Sequence, residues 1–191
     1  MKVLSKKECF KLIKSMDMMD HIVDHSVMVS NVALFLSHQL KKTFPELDTQ
    51  LATCAALLHD ITKTRSFSTK ESHSETGGLL LSKRGYPKVG DIIRQHIILD
   101  SYETDSLVTE QEIVNYSDKR VLNDKVVSLT ERLEYIKLRY GTRKEFKDRI
   151  QIMWSNTVTL ENKIFLHLDI TPGELSDCIS EEIKKEDYPY A

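Results

Sequence analysis

Residues 55–63 read Ala55-Ala56-Leu57-Leu58-His59-Asp60-Ile61-Thr62-Lys63. Leu51, Ala55 and Leu58 recur at helical spacing before His59, and the chain turns polar at Thr62, Lys63 and Thr64. This pattern predicts a helix over 48–59 that stops at the His-Asp pair. Adjacent helical residues point about 100° apart, so His59 and Asp60 can meet one ion only where a helix ends and the chain bends. Three further predicted helices carry a polar residue where the apolar stripe requires a hydrophobic one. In 20–42 the stripe Met28, Val32, Phe35 and Leu36 steps back one turn to His25. In 88–98 Val89, Ile92 and Ile93 lead to His96, and in 109–121 Val114 and Val121 flank Asp118. A single histidine on such a face is ordinarily a hydrogen-bonded core residue. A mid-stripe carboxylate is harder to accommodate, because burying it without a partner is costly. Four helices each directing a His or Asp inward, in a chain with 7 histidines, share one explanation: a metal site inside a helical bundle.

Composition agrees with a bundle. The 191 residues suit one domain over 1–191. Glycine (6) and proline (4) are scarce, which argues against a turn-rich β-sandwich or barrel. A hydrophobic share of 40% with 29% charged residues excludes a disordered tail. Lys and Arg number 27 against 29 Asp and Glu, net −2. No dense basic stripe is present, so neither duplex nucleic acid nor an anionic membrane is expected as a partner. Cys9, Cys54 and Cys178 form no CxxC and read as core fillers in a reducing compartment. Residues 1–14 are punctuated by lysines and lack a signal-peptide apolar region. The longest stretch without Asp, Glu, Lys or Arg, His25 to Leu40, is 16 residues, short of the roughly 20 that a membrane span needs. A cytoplasmic, all-α protein is expected.

The remaining helices are predicted over 5–16, 73–84, 128–140, 143–168 and 172–185. Capping boxes mark several starts: Ser5-x-x-Glu8, Ser72-x-x-Glu75, Thr109-x-x-Glu112, Ser128-x-x-Glu131 and Thr171-x-x-Glu174. Gly85 and Gly141 are expected C-terminal caps. The β-branched run Thr157-Val158-Thr159 is expected to divide the 143–168 helix. Polar loops are expected at 60–71 and 99–108, and a loose tail after Glu186.

The spacing His25, His59-Asp60, Asp118, with the LLHDITK stretch of residues 57–63, resembles the HD superfamily of metal-dependent phosphohydrolases. Thr62 stands where that family commonly has glycine. The resemblance covers roughly residues 20–125 and implies an all-α, multi-helix HD-domain bundle with a C-terminal helical extension over about 126–186. His73, in His73-Ser74-Glu75-Thr76-Gly77-Gly78, and His96 match two extra histidines of a binuclear subclass. In length and in all six positions the chain is similar to the small bacterial HD-type diadenosine tetraphosphate hydrolases. That likeness implies one ion on His25, His59, Asp60 and Asp118, and a second on Asp60, His73 and His96, with Asp60 bridging. Gly77-Gly78 within a helix costs about 1 kcal/mol per glycine relative to alanine, and reads as close helix–helix approach, as backbone kept clear for a ligand, or as a cost the helix simply tolerates.

The resemblance implies hydrolysis of a nucleotide or other small phosphate ester or anhydride by a metal-activated water. Asp60 would be a catalytic ligand, Lys63 would neutralise phosphoryl charge, and Lys119 would be a further phosphate contact. Lys119 and Arg120 are adjacent, so at most one faces the site, and Arg120 is expected to be a solvated charge. Arg65 and Arg94 are weaker options, and His21, His38 and His167 are expected to be ordinary. One or two divalent transition metals are implied, with Fe, Mn or Ni favoured over Zn by the ligand set. Two rival readings use the same residues: an HD-type di-iron oxygenase and a non-catalytic ligand-sensing HD domain. The segment from about Asn123 carries caps but no motif. Its amphipathic 128–134 stretch is expected to pack on the core or on a second subunit of a homodimer.

Overall fold

In the computed structural model, residues 3–140 and 144–186 are described. Gly141 and the tail after Glu186 lie outside them. The chain is all-α apart from one small hairpin: α1 (Lys6–Ser15), α2 (Asp20–Leu40), α3 (Thr49–Leu58), α4 (Lys63–Thr69), α5 (His73–Lys83), α6 (Pro87–Arg94), α7 (Glu110–Lys119), β1 (Val121–Leu122), β2 (Lys125–Val126), α8 (Leu129–Tyr140), α9 (Lys144–Phe165), a 3₁₀ turn (Pro172–Glu174) and α10 (Leu175–Cys178).

α3 is the centre of the bundle. Its residues from Leu51 to Leu58 are all buried, as befits a helix that is apolar on every side, and α1, α2, α6 and α7 pack around it. The buried stripe of α2 runs through His25, Val29, Val32 and Leu36, with Met28 and Phe35 only half-buried. Capping boxes hold at Ser5, Thr109 and Thr171, and Ser128 and Glu131 exchange the same pair of bonds. The box expected at Ser72 is absent, because the Ser72 hydroxyl turns to that of Ser74 instead. Gly85, at φ +88, closes α5.

Several boundaries differ from the sequence expectation. The 60–71 segment is not wholly loop: Lys63–Thr69 forms α4. α9 is unbroken, because the Thr157 and Thr159 hydroxyls donate to the Met153 and Ser155 carbonyls four residues back and so satisfy themselves within the helix. α6 ends at Arg94, so His96 lies beyond it. The predicted 172–185 helix is only a 3₁₀ turn and one helical turn. Beyond it the described residues 179–186 form no helix, and Asn31 of α2 clamps the Ile183 backbone through both its N–H (2.9 Å) and its carbonyl (3.0 Å).

Arg120 is the clearest reversal. It is 3% exposed and joins α7 to the C-terminal region, donating to the Val127 and Pro172 carbonyls, to the Tyr116 hydroxyl and to Glu161. No helix among the described residues is long and apolar enough to cross a membrane.

α5 and α6 cross at glycine. A Cβ at Gly78 would sit 2.7 Å from the Gly90 carbonyl oxygen and 2.9 Å from Arg94 Cβ, and one at Gly90 would meet the Gly78 carbonyl. Gly77 faces Ile93 and Ile61 instead, at 3.1 and 3.3 Å. Close approach is therefore the reason for the Gly77-Gly78 pair. Gly78→Ala gains about 1 kcal/mol of helix propensity but drives a methyl into a backbone carbonyl, an overpacking cost of about 1–3 kcal/mol. We expect the clash to win, lowering the urea midpoint; a midpoint that rises would show the helices free to separate.

Candidate metal centre

The end of α3 builds the floor of the site. His59 caps the helix, and its Nδ1 donates to the Ala56 carbonyl at 2.7 Å. Tight turns follow, with Ile61 N–H on Leu58 O and Lys63 N–H on Asp60 O, and they swing Asp60 round beside His59. His59 Nε2 lies 3.3 Å from Asp60 Oδ2 and 3.8 Å from Asp118 Oδ1. His96, just past α6, repeats the device: its Nδ1 donates to the Ile93 carbonyl at 2.7 Å, and its Nε2 is 3.7 Å from Asp60 Oδ1. His25 does so across the fold, with Nδ1 on the Asn123 carbonyl at 2.9 Å and Nε2 3.2 Å from Asp118 Oδ1.

A carbonyl can only accept, so each Nδ1 carries a proton and Nε2 is the ring nitrogen left to face the common centre, where it can ligate a cation when the ring is neutral. His73, the first residue of α5, brings Nε2 to 3.1 Å from Asp60 Oδ1. Its carbonyl is held by the Thr62 hydroxyl, which gives the threonine at the family's glycine position a structural task.

Donor atoms of His25, His59 and Asp118, and separately of His59, Asp60 and His96, all lie within 4.8 Å of one another. The side chains of His59 and Asp60 are 0% exposed, yet His59 Nε2 and Asp60 Oδ1 have no hydrogen-bond partner among the described residues. Such orphaned, fully buried atoms are expensive, and a cation between them satisfies both. The donor set therefore fits one or two divalent ions.

The charges are arranged accordingly. Burial favours the neutral form of Asp60, but the neighbouring His59 and Lys63 charges prevail and hold its carboxyl well below the usual range. Burial likewise works against the Asp118 anion, and Lys119, His25 and Arg132 outweigh it, again leaving the carboxyl well below its ordinary value. Burial, reinforced by His59, keeps His96 well below the usual imidazole value. Burial pushes His59 down as well, but Asp60 and Asp118 more than offset this and raise it. Two carboxylates and the surrounding imidazole nitrogens form a pocket whose donor types suit a divalent cation.

The cations divide. Lys63, with a side chain 29% exposed, reaches Asp60 Oδ2 at 2.7 Å from the open side. Lys119 is buried beneath the cluster, donating to the His96 carbonyl with its ammonium 3.4 Å from Asp118 Oδ2. Burial lowers its basicity, with Asp118 opposing. Lys119 thus supports two ligand residues from within, and direct phosphate contact at the mouth is not its placement. Arg65 and Arg94 are occupied elsewhere, by Glu71 and by Asp91 and Asp100. His21 and His38 are exposed, and His167 meets the Phe44 ring edge-to-face.

Two residues near the site escaped sequence reasoning. Asn123, at φ +55, forms the turn of the β1–β2 hairpin and supplies the carbonyl that orients His25. The dipeptide Asn123-Asp124 between Val121-Leu122 and Lys125-Val126 was the available signal. Arg132 on α8 comes within 3.5 Å of Asp118 Oδ1, and no local pattern announced it.

No curated protein and no solved structure matches the chain. The family model described as HD domain matches residues 22–136, a span that runs from the second residue after the start of α2 into α8 and includes every residue of the cluster. With a His from α2, a His-Asp pair at the end of α3 and an Asp from α7 meeting as that family's pattern requires, the chain belongs to the HD domain family.

Proposed function

We propose that the protein is a metal-dependent phosphohydrolase acting on a nucleotide or another small phosphate ester or anhydride. His25, His59, Asp60 and Asp118 would hold one divalent ion, and Asp60, His73 and His96 a second. The observation that carries this reading is the clustering of donor atoms of His25, His59 and Asp118, and of His59, Asp60 and His96, within 4.8 Å of one another, with His59 Nε2 and Asp60 Oδ1 fully buried and without hydrogen-bond partners among the described residues. Divalent ions in such a site lower the pKa of a coordinated water from about 15.7 towards 7.

The chain's own residues do the rest. His59, Asp60 and His96 form a floor closed to solvent. Lys63 stands at the open side on Asp60, placed to neutralise charge developing on a phosphoryl oxygen. Lys119 steadies Asp118 and the His96 backbone from below. A dinucleoside tetraphosphate is the substrate type favoured by chain length and the six ligand positions. We also propose that the C-terminal region forms one folding unit with the HD core, supported by the Arg120 and Asn31 bonds.

The test is metal analysis of purified protein, followed by a screen of phosphorylated nucleotides with added Mn²⁺ or Fe²⁺. Phosphate release that depends on the ion is expected; oxygen consumption by iron-loaded protein without phosphate release would favour the oxygenase chemistry instead. His96→Ala separates the two ions. Because His96 faces only the Asp60 side of the cluster, we expect bound metal to fall by one ion per chain while the other stays, and turnover to fall with it. Unchanged stoichiometry would remove His96 from the site.

A further inference from the structure

We propose that Arg132 is the phosphate clamp of this site, taking two oxygens of a phosphoryl group on its Nε and Nη2 edge. The proposal rests on the phosphohydrolase reading and extends it to a residue outside the HD ligand pattern.

Arg132 lies in the first turn of α8, whose start is fixed by the bonds exchanged between Ser128 and Glu131 and by the Arg132 N–H on the Ser128 carbonyl. That turn directs the side chain back over the cluster, where Nη2 stops 3.5 Å from Asp118 Oδ1. The side chain is only 13% exposed, and Nε is buried without a hydrogen-bond partner among the described residues. The guanidinium carbon sits 5.8 Å from the centre of the Tyr135 ring one turn on, which holds the plane in place.

A guanidinium kept only to neutralise Asp118 would be expected to present both N–H groups of one edge to both carboxylate oxygens. Here one nitrogen approaches one oxygen loosely. Asp118 Oδ1 already serves His25 at 3.2 Å, and Oδ2 faces Lys119 at 3.4 Å. The edge is half used, and its other N–H is buried and idle. Nε and Nη2 point the same way with parallel N–H bonds, the spacing that two oxygens of a tetrahedral phosphate match.

Placement supports the same ligand. Lys63 lies on the Asp60 side of the cluster and Arg132 on the Asp118 side, so the two cations bracket the place where a phosphoryl group held over the carboxylates would sit. A neutral substrate would gain nothing from either.

The test uses the full chain loaded with Mn²⁺ and inorganic phosphate as the probe. Wild type, Arg132→Ala and Arg132→Lys are compared by metal analysis, thermal melting and calorimetric titration with phosphate. Phosphate binding is expected to weaken about ten- to a hundred-fold in Arg132→Ala, with metal stoichiometry unchanged. Arg132→Lys keeps the charge and the Asp118 contact, so it is the variant to read if the alanine form unfolds. It too is expected to bind phosphate more weakly than wild type, because an ammonium cannot offer two coplanar N–H groups. Wild-type phosphate affinity in either folded variant overturns the clamp. Loss of an ion in Arg132→Lys or Arg132→Ala also overturns it, making Arg132 a positioning residue for Asp118. Wild-type protein that binds metal but no phosphate defeats the phosphohydrolase reading itself, an outcome distinct from the variant results.

Discussion

Asp60→Ala is expected to empty the site of both ions and to lower phosphate release by at least about a hundred-fold, the upper end of what a mere supporting-shell change costs a metal site. The reason lies in how the two carboxylate oxygens are shared. Oδ2 faces His59 Nε2 at 3.3 Å and Lys63 at 2.7 Å. Oδ1 faces His73 at 3.1 Å and His96 at 3.7 Å. No other carboxylate among the described residues addresses both halves of the cluster, so its removal differs in kind from His96→Ala, which touches one half. Asp60→Asn, close in volume but neutral, separates charge from packing and is expected to behave like the alanine variant. Metal analysis, circular dichroism and turnover are to be read together. Turnover retained by a folded Asp60→Ala protein would defeat the phosphohydrolase assignment.

Arg120→Ala is expected to be the most destabilising single change, at about 3–5 kcal/mol, the range for breaking a buried ion pair. Its guanidinium satisfies four acceptors drawn from α7, the strand region, α9 and the 3₁₀ turn. Alanine leaves Glu161 without its cation and exposes no compensating surface. Arg120→Lys should recover only part of the loss, because one ammonium cannot span acceptors that a planar fork reaches together. Urea unfolding with a common slope checks both variants. A loss below about 1 kcal/mol, the range of surface pairs, would show that the C-terminal region is held by its apolar contacts alone.

The site was more legible than the frame around it. His25, His59, His96 and Asp118 announced themselves because each breaks an apolar stripe, and a period is a property of local sequence; Asp60 followed from its place beside His59 at a helix end. His73 needed the family likeness, since it opens a helix and breaks no stripe. Arg120 read as a solvated charge and Lys119 as a phosphate contact; their burial depends on α9 and on His96, which are distant in sequence. Arg132 was hidden for the same reason. At Thr157 and Thr159, β-branching argued for a break, but the hydroxyls bond within the helix and the apolar contacts of Trp154, Leu160 and Ile164 carry it through. The C-terminal helix is shorter than its local pattern because the Ile183 backbone N–H and carbonyl are taken by Asn31 of α2, a partner distant in sequence.

The three imidazole–carbonyl bonds also bear on how affinity for an ion is set. A histidine free to rotate gives up rotamer and tautomer choice when it captures a metal, at the expense of binding. Here that entropy is surrendered as the chain folds, because Ala56, Ile93 and Asn123 fix each ring beforehand. Disturbing any of these three backbone positions, by fraying the last turn of α3 or α6 or by opening the hairpin turn, moves the entropic penalty from folding to capture. Metal affinity would then decline with every ligand still in place.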